Sequence, residues 1–560
     1  MVWHFFKKDF RLLWPTALAL AAAQALCAVR TSVLGHFQEP LALYQLTRAL
    51  PVLVCLGVAL VTIVAVHQDA LPGVRQDWLT RPVRRRDVWL SKVLFVLLLV
   101  VMPFFAIDVL EELSVQLPLT MSIAGAASRS FMLIGILVLP ALTLGAVTRS
   151  FTEALILGIV ATVALSTLVM LGLAAFPPEM LFGVPSGTQW IQLACALLVM
   201  AVAAAVTLWF QHSYRRTGLA RAIAIVGALM TNAVLAAMPA SAAMGIQRWT
   251  WGHAVEDAVA LHFAPDSQTP SNKSGERLSL QDEPNSRDPA SAAARQALAQ
   301  AQNTQYAKLV IPLRIEGMAP RHILRTDQLS VRITAADGAV YFDGSRICLR
   351  SGAIGASCRQ NLLEIRTDKS RAPDSFATAQ VGLPTALYQR IKDQPVTLQL
   401  DFSLTSFEPD PAQLMGTNSS AHQVSQLGSC ATRIDADEDE VELRCLTSAK
   451  VPSCVVAVLE DPQTEKHNPE LYGCLPDYAP FPMYPSSLDV VRQVGMSLPF
   501  HDPSGLAQFP VDSPAIGRAQ IRLTTFTPVS HFQRSLSIPN VRLADWEASR
   551  VLKAGVKAGN

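Results

Sequence analysis

The chain has 560 residues, 51% of them apolar and 16% charged, with a formal charge of +2 and a pI near 8.1. So small a positive excess says nothing sharp about partners, and nucleic acid is not expected among them. Apolar residues crowd into the first 246 positions, which excludes a chain that is water-soluble throughout.

Residues 1–12 open the chain with an amphipathic pattern. Val2, Trp3, Phe5, Phe6, Phe10 and Leu12 alternate with Lys7, Lys8, Asp9 and Arg11, as suits a helix lying in a membrane interface. Leu26 before Cys27 is too bulky for small-residue cleavage, so the segment is expected to be retained. Seven apolar windows follow within residues 13–246: 13–33, 50–66, 93–110, 131–147, 154–176, 191–210 and 220–244, the last interrupted by Pro239. About 20 apolar residues are needed to cross a hydrocarbon core, and in lipid the backbone satisfies itself as helix. The expectation is a polytopic α-helical membrane domain of about seven spans.

Between the second and third windows lies DALPGVRQDWLTRPVRRRDVWLSK, residues 69–92, too charged to cross a bilayer. Positive charge in short loops stays on the cytoplasmic side, so this loop places the N-terminus inside. Arg149, Arg215, Arg216 and Arg221 fall on the same side, while Glu39, Asp108, Glu111, Glu112 and Glu179 fall on the other, with Arg129 at its margin. Seven crossings then deliver the rest of the chain outside the cell or into a periplasm. Asp108, Glu111 and Glu112 are expected at a water-accessible mouth. Gly135, Gly145, Gly158 and Gly172 read as small-residue helix contacts.

Cysteine usage agrees. Cys27, Cys55 and Cys195 lie in apolar windows, whereas Cys348, Cys358, Cys430, Cys445, Cys454 and Cys474 are an even set confined to the exported part. An oxidising compartment selects that distribution. Six cysteines allow 15 pairings, and sequence does not choose among them; sequential pairing, 348–358, 430–445 and 454–474, would staple local loops. No CxxC spacing supports zinc, and no metal site is assigned.

Residues 247–307 read as a linker, polar and Pro/Ser-rich over 266–290, with a short helix over 291–308. From residue 308 to 560, stretches such as KLVIPLRIEG, VTLQLDFSL, EVELRCL and AQIRLTTFTPV alternate apolar and polar residues at period two. With a turn signal at Ala335-Ala336-Asp337-Gly338, the expectation is a mainly-β, disulfide-stapled extracytoplasmic domain, sandwich-like, as one large unit or two small ones.

Catalytic constellations are missing. His501-Asp502-Pro503-Ser504-Gly505 holds suitable residue types, but neighbours on a turn cannot form a triad. His253 and Asp257 supply two ligands at most. Asp435 to Glu440 opens like a calcium loop, yet Glu440 and Leu446 stand where Gly and Glu are required, so a solvated hairpin tip is expected.

Two places resemble the permease subunits of ATP-binding-cassette transporters, type-2 exporter branch. HFFKKDFRLLW is similar to their interfacial elbow helix. In the loop after span two, Asp69, Gly73, the run Trp78-Leu79-Thr80-Arg81-Pro82, then Arg84 or Arg85, and Lys92 resemble the family's acidic-Gly, Thr/Arg-Pro-x-x-Arg and Lys pattern. The resemblance covers under half the chain, and a seventh span with a large C-terminal module departs from the usual six-span core.

The resemblance implies that residues 69–92, Asp77 included, form the coupling element that docks on a separate nucleotide-binding ATPase. No GxxxxGK[ST] loop occurs here, so this chain binds no cofactor itself and ATP with Mg²⁺ belongs to the partner subunit. It further implies a homo- or heterodimer of permease subunits in a bacterial-type inner membrane, working by alternating access, and no enzyme activity of the chain's own. The alternative is a polytopic anchor presenting a recognition or assembly domain without transport, its arginines serving lipid headgroups.

Overall fold

The computed structural model describes residues 2–34, 41–68, 85–175, 189–211, 217–238, 242–243, 245–246, 259–265, 306–319, 322–347, 364–366, 375–424, 427–435, 440–448, 454–463, 471–474, 491–499 and 517–547. Six helices among them are long and apolar enough to cross a membrane. A mainly-β region follows, closed by a disulfide between Cys430 and Cys445.

Helix α1, Val2–Leu34, runs unbroken through Pro15, so the amphipathic start and the first apolar window are one rod rather than two segments. Helix α2 is Leu41–His67. The third window begins earlier than hydropathy suggests: α3 is Arg85–Val96, followed by a π-helical turn, Leu97–Val101, and α4, Met102–Ser114. The fourth does likewise, with α5 at Leu119–Leu133 rather than starting at Phe131, a π turn at Ile134–Val138, and α6 at Leu139–Val147. Both π turns precede a proline, Pro103 and Pro140. A proline ring clashes with the carbonyl four residues back and donates no N–H, and a wider turn relieves both problems without ending the helix.

Helices α7, Phe151–Ala175, α8, Gln189–Trp209, and α9, Thr217–Ala237, complete the bundle. Its core joins Leu13 and Leu20 of α1 to Val54 and Val58 of α2, Phe95 of α3, Phe104 of α4 and Leu142 of α6. Small residues set the close approaches, as the sequence suggests. A methyl group on Gly135 would stand 2.4 Å from Leu197 of α8, and one on Gly145 3.1 Å from Val66 of α2.

The β region begins inside the stretch read as linker. Strand β1, Ala260–Phe263, pairs with β2, Tyr306–Glu316, and β2 also takes in 306–308, the end of the expected helix. The alternating stretches become strands β3 (Ile323–Ala335), β4 (Val340–Ile347), β5 (Glu364–Arg366) and β6 (Ser375–Pro384), then a short helix α10 (Thr385–Ile391). After it come β7 (Pro395–Pro409), β8 (Gln413–Gly416), β9 (His422–Val424), β10 (Gly428–Asp435) and β11 (Glu440–Ser448). Last are β12 (Cys454–Glu460), β13 (Leu471–Cys474), β14 (Val491–Pro499) and β15 (Gln520–Arg542). The turn at Ala335 closes with Gly338 at φ +85°, a conformation glycine adopts without cost.

Three sheets result, with strand orders β1-β2-β6, β14-β11-β10-β9 and β13-β12-β15-β7-β3-β4. Alternation puts Val396, Leu398, Leu400, Phe402 and Leu404 of β7 into one core with Leu309, Ile311, Leu313 and Ile315 of β2. A second core joins Leu443 and Cys445 of β11 to Val455 and Ala457 of β12 and Ile521 and Leu523 of β15. The long strand β15 contributes to both.

Candidate functional site

Two clusters of buried charge lie at opposite ends of the α3–α4 rod. At its start, Lys92 donates to Asp9 of α1 at 2.7 Å, with side-chain exposures of 6% and 0%. Removing one member of such a buried pair costs about 3–5 kcal/mol, because the other charge stays desolvated. Lys92 stood out in the sequence at the head of the third span, and Asp9 in the N-terminal segment; the fold makes them partners. Arg85 opens α3. Asp69, Gly73, Asp77, Trp78, Leu79, Thr80, Arg81, Pro82 and Arg84 lie outside the described residues.

At the other end, Asp108 accepts hydrogen bonds from Gln24 Nε2 at 3.0 Å and from Arg129 of α5. Asp108, Glu111 and Glu112 are 1%, 6% and 0% exposed. This corrects the expectation of a water-accessible mouth and of Arg129 at a loop margin. Helix α5 starts ten residues before Arg129, so the arginine sits on a helix face opposite Asp108, not in a loop.

Helix α4 ends in a Schellman motif. Gln116 takes the left-handed conformation at φ 63°, its N–H donates to Leu113 O at 3.0 Å, and Leu117 N–H reaches back to Glu112 O at 3.2 Å. The reversal throws Leu117 out of the bundle and onto the four-stranded sheet. There Val115 and Leu117 bury against Leu446 of β11 and Val491 of β14, all at 5% exposure or less. Burial on this scale contributes about 1.5–3 kcal/mol per large side chain. Gly428, at φ +89°, lets the sheet approach: a methyl group there would stand 3.3 Å from Leu117 and 2.4 Å from Leu446 O.

Polar contacts fix the register of this seat. Ser448 Oγ donates to Glu112 Oε1 at 3.0 Å, and Gln423 Nε2 of β9 donates to Gln116 O at 2.7 Å. Glu112 is one helical turn beyond Asp108, so the two carboxylates stack along α4, one held by the bundle and one by the sheet. Gly125 of α5 makes room for the second: a methyl group on it would stand 2.3 Å from Glu112 Oε1.

At the Lys92 end, α6 finishes under three side-chain caps. His67 Nε2 lies 2.9 Å from Gly145 O, Thr148 Oγ1 donates to Leu144 O at 2.7 Å, and Arg221 Nε donates to Val147 O at 3.0 Å. Arg221 also pairs with Glu153 at 2.7 Å. Basic groups at a helix C-terminus complement its dipole.

Cys430 and Cys445 face each other across β10 and β11 and are bonded, as sequential pairing expects. Cys445 points into the core while its neighbour Leu446 points to the α4–α5 turn, so the disulfide backs the docking strand. Cys454 is disulfide-bonded and opposite Cys474 in register. Cys348 and Cys358 lie outside the described residues, as do His253, Asp257 and 501–505. Residues 435 and 440 pair at the end of the β10–β11 hairpin. Among the described residues no group of three His, Cys, Asp or Glu could hold a metal ion.

No family model matches the chain, and no curated protein matches it. One solved structure, titled "pT26-6p", aligns over 45% of this chain and 70% of its own at 8% identity, with a TM-score of 0.10, too low to carry an argument.

Proposed function

We propose that this chain is the membrane-spanning subunit of an ATP-driven exporter, coupled through residues 69–92 to a separate ATPase and carrying an extracytoplasmic domain for substrate or partner binding. The observation that carries the reading is the α3–α4 rod. It leaves the basic loop at Arg85, is pinned to α1 by Lys92 and Asp9, and ends in the Glu112–Ser448 contact with the β region. A push on the loop therefore has a direct mechanical route to the far domain, the transmission alternating access requires.

Seven spans are supported by where the helix ends meet. Arg221, at the start of α9, touches Val147 and Glu153, whereas Gln192, at the start of α8, reaches Val234 O at 3.5 Å near the end of α9. In this reading α7 travels from the first level to the second, and an odd number of crossings puts the N-terminus and the β region on opposite sides. On the same reading the start is cytoplasmic, the membrane an inner one and the exterior oxidising, which the arginines of 69–92 and the bonded Cys430–Cys445 support. The two shared cores suit a tandem β-sandwich.

The ATPase, with its ATP and Mg²⁺, is a separate chain, and a pair of permease subunits completes the unit. Trp78, Leu79 and Trp89 would insert into a groove on the ATPase while the arginines meet its acidic rim. Co-purification in mild detergent tests this. An ATPase recovered with the full-length chain and lost from Trp78→Ala/Arg81→Ala supports coupling. Its absence while other partners are retained favours a polytopic anchor for a recognition domain.

A further inference from the structure

The two π turns share a construction. Each is five residues long, each is closed by an N–H reaching five residues back, Met102 to Leu97 O and Leu139 to Ile134 O, and each has a proline two residues past its end, Pro103 and Pro140. Their flanks keep right-handed helical angles, φ −64° and ψ −42° at Val96 and φ −63° and ψ −47° at Leu139, so neither rod is broken. Measured at about 1.5 Å per residue from the α4–α5 turn, Leu97–Val101 lies roughly 20–26 Å down one rod and Ile134–Val138 roughly 22–28 Å down the other. The two interruptions therefore lie at a similar depth below the turn, the first packed against α1 and the second against α2 and α8.

Above this level the two rods are tied to each other, and below it each is tied to other helices. Beyond it, Arg129 bonds Asp108 across α4 and α5, Gly125 seats Glu112, and Leu117 and Glu112 hold the β sheet. Below it, Lys92 is tied to Asp9, and the end of α6 is tied to His67 and Arg221. A π turn carries one residue more than the α turn it replaces and keeps weaker bonding, and such turns recur where helices bend in function.

We propose that the paired π-turn/proline segments form a hinge plane about which the hairpin tip and its docked β sheet move as one body against the Lys92 end of the bundle. As a route for coupling this rests on the exporter reading; as a motion of the chain it does not. The prolines fix where the hinge lies, because only there is the backbone freed from its regular bond. Gly135, within the second π turn, leaves no side chain between the hinge and Leu197 of α8.

The test uses the full-length chain in nanodiscs, with Cys27, Cys55 and Cys195 replaced by alanine and spin labels on exposed sites. The pair Leu90→Cys/Leu119→Cys spans the hinge, and Leu119→Cys/His422→Cys joins the tip to the four-stranded sheet. Pulsed dipolar distances are expected to show more than one population across the hinge and a single one between tip and sheet. Pro103→Ala/Pro140→Ala should collapse the first to a single population. A single population across the hinge in the parent chain, or equal spread in both pairs, overturns the proposal. Amide exchange on the unsubstituted chain guards against misfolding of the variant: protection should dip at 97–102 and 134–139, and uniform protection along both rods contradicts the hinge. None of these readouts needs an ATPase, so failure of the exporter reading stays distinguishable.

Discussion

Ser448 donates its hydroxyl to the carboxylate of Glu112 at 3.0 Å, joining residues 336 apart in sequence and tying the last strand residue of β11 to the last turns of α4. Everything around this bond serves the same seat: the Schellman turn at Gln116, the projecting Leu117, the bare face of Gly428 and the disulfide behind Leu446.

The seat is sensitive to volume at Gly125. Gly125→Ala places a methyl group 2.3 Å from Glu112 Oε1, and the carboxylate must leave Ser448 to admit it. The expected loss is about 1–3 kcal/mol, read as a lower thermal midpoint in detergent. Gly218→Ala, with nothing within 4 Å, is the control; it should leave the midpoint unchanged or raise it.

Gln116 holds a left-handed conformation that glycine adopts freely, and its contact with Gln423 uses only the backbone carbonyl. Gln116→Gly should therefore be neutral or stabilising by up to about 1 kcal/mol, and Gln116→Val destabilising. Parallel thermal melts decide it; a fall for glycine as large as for valine would show that the side chain, not the backbone, matters.

Asp108 and Arg129 form a pair whose members are worth more together than apart. Arg129→Gln or Asp108→Asn alone should cost about 3 kcal/mol or more, because a desolvated charge loses its partner. In Asp108→Asn/Arg129→Gln the loss should be well below the sum of the two single losses. Additive losses would mean the two do not interact.

Cys430 and Cys445 close a loop of sequence separation 15. Replacing both by alanine should lower the stability of the β region by about 3 kcal/mol in the chain-entropy account. Non-reducing peptide mapping should recover the 430–445 bond, and a free thiol at either position in the intact protein would contradict it.

Much of this was legible from local pattern. Period-two alternation located β2, β7, β11 and the start of β15, and the Cys430–Cys445 bond agrees with sequential pairing, which spacing alone could not select. Hydropathy found the apolar rods but cut them short at charged residues, which hid the helical stretch from Leu119 to Arg129 and placed Asp108 in water. A charge ends an apolar window yet need not end a helix when a partner on the next helix neutralises it. The Glu112–Ser448 and Gln116–Gln423 contacts had no local signal, since each joins residues more than 300 apart. The π turns left only a proline after an apolar run, which sequence reading takes as a kink or an end.

The central claim is that one rod links the 69–92 loop to the β region. It is tested most directly by ATP turnover of the co-purified complex carrying Pro103→Ala/Pro140→Ala, which stiffens the two rods between the loop and the seat. The account predicts that turnover falls in a complex that still assembles with its β region docked. Unchanged turnover in the stiffened complex would contradict it, because the ATPase would then cycle without moving the seat.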